Sequence, residues 1–370
     1  MKKVKLGEIG KIVTGCTPST KKSEYYESND YMFVGPSDIK NVMYVVSSEK
    51  HISQKAYEDH KTRFINGDSI VVDCIGSDMG NVAIVKEDCL TNQQINAITN
   101  IDENNYNIRY VYYVLSTMKN YFHLIGTNGS TMPILNKSMF ENIEIEVPDI
   151  EIQNKIANIL SKLDDKIKLN NEINNNLYEE AVALYKDKFK GIGQGKKTIG
   201  DYIVPKRGKN LLTRDAIDGD TPVVAGGIAP SAYHNQFNTK SPVITISASG
   251  ANAGYTNLWN IPVWASDCSY IDDSITKNVY FWYIVLKTRQ NEIFDAQTGS
   301  AQPHIYPQHI AEMSIGELSI AEVEKYNNLV APLFKMIGEN QKENKKLSQL
   351  RDTLLPKLMD GEIDLDNIEI

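Results

Sequence analysis

Two stretches of the chain, Asp149 to Lys190 and Ser319 to Asp360, place apolar residues alternately four and three apart in a background of Lys, Glu, Asn and Leu. That spacing predicts coiled-coil helices. The first seam runs Ile156, Leu160, Leu163, Ile167, Asn170, Asn174, Leu177, Ala181, Leu184, and the second Tyr326, Val330, Leu333, Ile337, Asn340, Asn344, Leu347, Arg351, Leu354. Asn interrupts both at matching places. A buried Asn lowers stability but fixes register, because a slipped alignment leaves its amide unpaired. Two polar layers in mid-helix therefore predict that the helices pair with each other, at Asn170, Asn174, Asn340 and Asn344. A helix of about 40 residues is about 60 Å long, the dimension of a spacer.

Elsewhere the pattern changes to short β-rich runs punctuated by turn residues, such as Ser69 to Val72 and Pro242 to Ile246, with a helix expected at Arg109 to Lys119 and at Tyr280 to Lys287. The halves repeat. Gly129-Ser130-x-x-Pro133 recurs as Gly299-Ser300-x-x-Pro303, and Leu163, Ile167, Leu177 and Leu184 recur at the same offset of 170 as Leu333, Ile337, Leu347 and Leu354. Upstream, Leu6-Gly7-Glu8 matches Ile199-Gly200-Asp201, and Gly76-x-x-x-Gly80 matches Gly250-x-x-x-Gly254. The expected fold class is α+β. Two globular units in pseudo-twofold repeat, 1–147 and 191–318, are separated by two long antiparallel coiled-coil helices, 148–190 and 319–370, the latter including a C-terminal tail.

Composition narrows the classes. The 41% hydrophobic and 23% charged fractions suit a soluble protein with real cores. No run reaches the ~20 apolar residues of a membrane span, and Met1-Lys2-Lys3-Val4-Lys5 lacks the apolar stretch of a signal peptide. The chain reads as cytoplasmic, with no membrane partner. Cys16, Cys74, Cys89 and Cys268 form no C-x-x-C pair, so no metal site is expected. There is no Walker-type loop and no H-E-x-x-H, and Gly191-Ile192-Gly193-Gln194-Gly195 reads as helix stop and linker. Pro148-Asp149 with Asp164-x-Lys166 formally fits a metal-nuclease pattern, but the spacing puts Asp149 at a helix N-cap and Asp164 and Lys166 on the solvated face of a coiled-coil helix.

Two stretches resemble a known family. Val147-Pro148-Asp149-Ile150-Glu151-Ile152-Gln153 running into Ile156-Ala157-Asn158-Ile159-Leu160 is similar to the P-x-x-x-Q-x-x-I-a-x-x-L helix start of the specificity (S) subunits of type I restriction-modification systems. The ending from Leu350-Arg351-Asp352 through Leu355-Pro356-Lys357 to Gly361-Glu362-Ile363 resembles it more closely still. The second helix start, Ser319-Ile320-Ala321-Glu322-Val323, departs by lacking the Pro and the Gln. The resemblance implies a non-catalytic subunit whose two globular units are target recognition domains. Each would read half of a split double-stranded DNA target, while the helices set the spacing and dock two methyltransferase (M) subunits. It implies no cofactor in this chain, S-adenosylmethionine and adenine methylation on the M subunits, and restriction (R) subunits that cleave DNA as a further partner. A two-headed coiled-coil scaffold that binds only proteins is the alternative.

The net charge of -8 runs against phosphate binding on average, and neither unit is basic: 1–147 carries 15 Lys and Arg against 18 Asp and Glu, and 191–318 carries 10 against 11. Basic residues nevertheless cluster, as Lys2, Lys3, Lys5, Lys11, Lys21 and Lys22 in the first unit and as Lys196, Lys197, Lys206, Arg207, Lys209 and Arg214 in the second. Such clusters suit phosphate contacts. Arg63 is a further candidate. Base reading is assigned to polar loops around the shared glycines: Ser77 and Asn81, then Ser249 and Asn252, with Tyr233, Asn235 and Gln236 after a Gly-Gly turn and Gln302 with His304 beside the repeated motif. If the helices act as a ruler, four residues inserted after Lys186 shift the second unit by about one to two base pairs of B-DNA.

Overall fold

Four helices organise the chain: α1 (Ile108–Thr117), α2 (Ile150–Lys188), α3 (Val279–Thr288) and α4 (Ile320–Met359). The structure is a computed structural model and describes residues 1–127, 133–299, 302–363 and 365. Of the repeated motif, Gly129, Ser130 and Ser300 lie outside the described residues, whereas Pro133, Gly299 and Pro303 lie inside. Two compact units form: unit 1 is Met1–Asp165 with Leu347–Ile370, and unit 2 is Lys166–Lys346. Each unit takes its own portion of both long helices.

In unit 1 a five-stranded sheet is ordered Lys11–Thr14, Ile95–Thr99, Ser69–Asp73, Val82–Val85, Tyr44–Val45, antiparallel except for its last pair. It is covered on both faces. Ile70 and Val72 point into a core shared with α1, Ile156 and Leu160 of α2 and Leu358 of α4. Val71 points the other way, into a core with Met32, Val34 and Ile65, which belong to a second sheet ordered Lys50–Ile52, Tyr31–Val34, Cys89–Thr91, Phe64–Ile65. Burial on both faces is why Ser69 to Val72 reads as a continuous apolar run and not as an alternation.

Unit 2 repeats this plan in shorter form. Its four-stranded sheet runs Lys206–Arg207, Cys268–Asp272, Val243–Ser247, Thr256–Trp259, and a three-stranded sheet runs Ala232–His234, Thr221–Val224, Trp264–Ala265. Both units pair the first strand of the second sheet in parallel, Tyr31–Val34 with Cys89–Thr91 and Thr221–Val224 with Trp264–Ala265. Unit 1 has, between Val34 and Ser69, the helix Gln54–His60 and the strand Phe64–Ile65 that unit 2 lacks. α3 is buried on every side from Val279 to Leu286. It is enclosed by the sheet, by Ala181, Val182 and Tyr185 of α2 and by Tyr326, Val330 and Phe334 of α4.

Every seam position is buried or half-buried. Within unit 2, Asn170 Nδ2 donates to Asn344 Oδ1 at 2.8 Å and to Glu343 Oε2 at 2.7 Å, while Asn340 Nδ2 donates to Asn174 Oδ1 at 2.8 Å. One number rises as the other falls, so α2 and α4 run antiparallel there. Replacing Asn170 and Asn344 together by Leu is expected to stabilise unit 2 by about 1 kcal/mol, since both partners of the seam pair go together and the groups also bonded to them, Glu343 and Asn171, are exposed to water. The same change should speed amide exchange along both helices as register loosens. Thermal unfolding and hydrogen exchange check this, and a lower melting temperature would contradict it.

Asp164 corrects the sequence reading. It does not lie on a solvated face: its side chain is 13% exposed and accepts from Arg351 Nη1 at 2.6 Å and from the Tyr113 hydroxyl at 2.5 Å. Lys166, in unit 2, pairs with Glu343 at 3.5 Å. Of the nuclease-like spacing, Asp164 holds helices together while Lys166 stays on the solvated face as expected.

Candidate nucleic-acid interface

The shared glycines build the same loop twice. Gly76, Gly80, Gly250 and Gly254 all have φ between 83° and 104°, the left-handed region that a side chain rarely adopts. Gly76 N donates to Pro133 O and Gly250 N to Pro303 O, each at 3.1 Å, so each loop rests on the proline of the repeated motif. Gly80 N closes back on Asp73 O, and Gly254 N on Ser247 O. Leu135 N donates to Cys74 O and Ile305 N to Ala248 O, both at 2.9 Å. The frame is made of main-chain bonds, and the side chains on it differ.

In unit 1, Ser77 is exposed at the tip. Asn81 is turned inward: its Nδ2 donates to Asp78 O at 2.8 Å and its Oδ1 accepts from Lys119 Nζ at 3.2 Å. Asp78 is held by Lys119 at 2.8 Å and Lys40 at 2.6 Å, whose hydrogen bonds push its carboxyl well below the usual range. These lysines are not in the sequence-derived set. Arg63 donates from Nη1 to Thr14 O at 3.1 Å and lies close enough to Cys16 to oppose the upward effect of burial on its thiol. Lys21 is exposed, and Lys22 bonds the Tyr25 hydroxyl at 2.8 Å, next to Asp59.

In unit 2, Asn252 and Gln302 are exposed and His304 is half-buried, its ring stacked on Tyr306 with centroids 6.0 Å apart. An isolated bridge joins Ser249 to His304. Ser249 Oγ donates to Asp267 Oδ2, and Asp267 Oδ1 accepts from Arg207 Nη2 at 2.5 Å. The structure therefore brings together Arg207, Ser249 and His304 and adds Asp267, which no motif marked. Lys206 bonds Ser274 Oγ at 3.2 Å, Lys209 Nζ sits 6.0 Å from the Trp264 ring, and Lys345 Nζ sits 5.5 Å from the exposed Tyr233 ring.

The motif glutamine has a visible task. Gln153 is buried; its Oε1 accepts from Asn107 N at the start of α1 and its Nε2 donates to the carbonyls of Asn105 and Pro148. The second helix lacks that Gln, yet Asn327 Oδ1 accepts from Tyr280 N and Phe281 N at the start of α3. A side-chain amide from the long helix thus takes main-chain N–H groups at the start of the corresponding helix in each unit, and in α1 the Asn107 side chain adds a second cap on Tyr110 N. Among the described residues no helix is long and apolar enough to cross a membrane, and no group of His, Cys, Asp and Glu could hold a metal ion. Burial pushes the thiols of Cys74, Cys89 and Cys268 up to about 12.

In both units a repeated main-chain frame carries different polar side chains. Residues 1–179 match the model of the type I restriction modification DNA specificity domain. The chain is 29% identical to the specificity subunit of the type I restriction enzyme MjaIX of Methanocaldococcus jannaschii, over 98% of this chain and 94% of that one. It is 32% identical to the EcoR124I/EcoR124II specificity subunit of Escherichia coli over 43% of this chain and 40% of that subunit. The solved S subunit of a type I restriction-modification system from M. genitalium shares the fold, with a TM-score of 0.59 at 19% identity over 96% of this chain and 95% of that one. Over its first 179 residues the chain thus resembles the type I restriction modification DNA specificity domain, and along nearly its whole length it resembles a protein named as a specificity subunit. Subunits so named are non-catalytic components of their complexes.

Proposed function

We propose that the two units read the two halves of a split duplex DNA target, while α2 and α4 set the gap between them and dock methyltransferase subunits. The observation that carries this reading is the duplicated loop frame. Two matching main-chain scaffolds that carry Ser77 in one case and Asn252 in the other, with Arg207 held beside the second through Asp267 and Ser249, suit one task performed on two different sequences. Phosphate contacts from Lys21, Lys22, Lys206 and Lys209 would position the duplex without reading it. The methyltransferase partner would bring S-adenosylmethionine, and restriction subunits would join the same assembly.

The repeat also offers two similar docking surfaces, one per unit, so two methyltransferase subunits are expected per chain. Mass measurement of the reconstituted complex at saturating methyltransferase checks the number, and a single bound copy would contradict it. The reading itself is tested by sequencing methylated bases in cells that carry this chain and its methyltransferase. A split motif is expected, and a continuous one would end the proposal.

A further inference from the structure

Arg207 belongs by sequence to a basic cluster, the kind that grips phosphate. Its surroundings point elsewhere. Phosphate affinity comes from net positive charge that displaces counterions, and Arg207 is neutralised by Asp267 at 2.5 Å. What the pair supplies instead is geometry. One Nη is pinned, Asp267 is itself fixed by Ser249 on the glycine loop, and the arginine side chain is still 42% exposed. A guanidinium held on one edge and open on another is pre-organised for a two-point hydrogen bond, and that matters for a base edge far more than for a phosphate.

Unit 1 supplies an independent observation. The match of Leu6-Gly7-Glu8 to Ile199-Gly200-Asp201 makes Thr14 the repeat equivalent of Arg207. Thr14 has no charge to offer, yet Arg63 reaches this strand position from the segment unit 2 lacks and donates from Nη1 to the Thr14 carbonyl at 3.1 Å. Both units thus bring an arginine, anchored by one nitrogen, to the same strand position from different parts of the chain. We infer that Arg207 and Arg63 are the base-reading arginines of the two units, each taking the acceptor edge of a guanine in the major groove, with Asp267 as the residue that positions Arg207. This rests on the split-target reading above and assigns its residues.

The test uses the full chain with its methyltransferase partner and maps methylated sites for wild type, Arg207→Lys, Arg207→Met, Arg63→Met and Asp267→Asn. The Arg207 variants should lose about 10-fold discrimination at one G·C pair of one half-site, and Arg63→Met should do so in the other half only. Asp267→Asn should weaken the same pair as Arg207 does while increasing affinity for unrelated duplex, because it frees a positive charge; a merely structural loss would lower both. Retention of the methyltransferase shows that a variant is folded. Uniform weakening across all sequences, with the salt slope reduced by about one, would mark Arg207 as a phosphate contact and overturn the inference. So would unchanged half-sites in both arginine variants. A wild-type motif that is not split would instead sink the reading beneath it.

Discussion

Seven residues inserted into each long helix, after Asp165 in α2 and after Lys346 in α4, are expected to lengthen the gap of the methylated site by about three base pairs and leave both half-sites unchanged. Both insertions fall at the boundary between the compact units, so neither core is cut. A whole heptad in both helices keeps the seam in phase and adds about 10 Å, against about 3.4 Å of rise per base pair. Lys186, a reasonable point from sequence alone, is excluded by the structure, because Tyr185 and Phe189 on either side are buried in the core of unit 2. Sequencing the methylated sites decides, and an unchanged gap would falsify the view of these helices as a ruler.

Removing Arg351 alone, as Arg351→Ala, is expected to cost unit 1 about 3 kcal/mol, because Asp164 is left buried without its cation. The figure is at the lower end for a buried pair, since Arg351 keeps 30% exposure. Burial works against the charge of Arg351, but its bonds to Asp164 and Asp352 raise its pKa beyond the usual value. Asp164→Phe combined with Arg351→Ala gives this layer the residues that the second repeat has at the matching positions, Phe334 and Ala181. There the ring of Tyr283, the counterpart of Tyr113, packs edge-on against Phe334 at 5.7 Å. The double variant should therefore recover most of the loss. Denaturant titration of the transition in which unit 1 unfolds provides the measurement, and equal losses in single and double variants would remove the ion pair as the cause.

These two residues also show where sequence reading stops. Periodicity found α2, α4 and the Asn layers because each is a local pattern of spacing, and it even put Arg351 on the seam. It placed Asp164 in solvent because its partner is 187 residues away. Heptad spacing says which side of a helix is apolar and nothing about a tyrosine arriving from α1. Likewise the glycines were legible, since a left-handed turn restricts residue type at each position by itself. Asp267 was not, because a lone acidic residue has meaning only beside the arginine and serine that folding brings to it. The motif glutamine was recognisable as a letter, while its work of capping α1 became visible only with the chain folded.

The bonds that shape the two glycine loops have a consequence for inheritance. They run from amide to carbonyl, Gly76 to Pro133 and Gly250 to Pro303, so they survive almost any exchange of the side chains displayed between the glycines. A mutation at Ser77 or Asn252 alters what is offered without moving the platform that offers it. Under the proposed reading, targets can therefore change in single steps with each intermediate still folded, and the glycines, held at positive φ, are the letters that stay fixed.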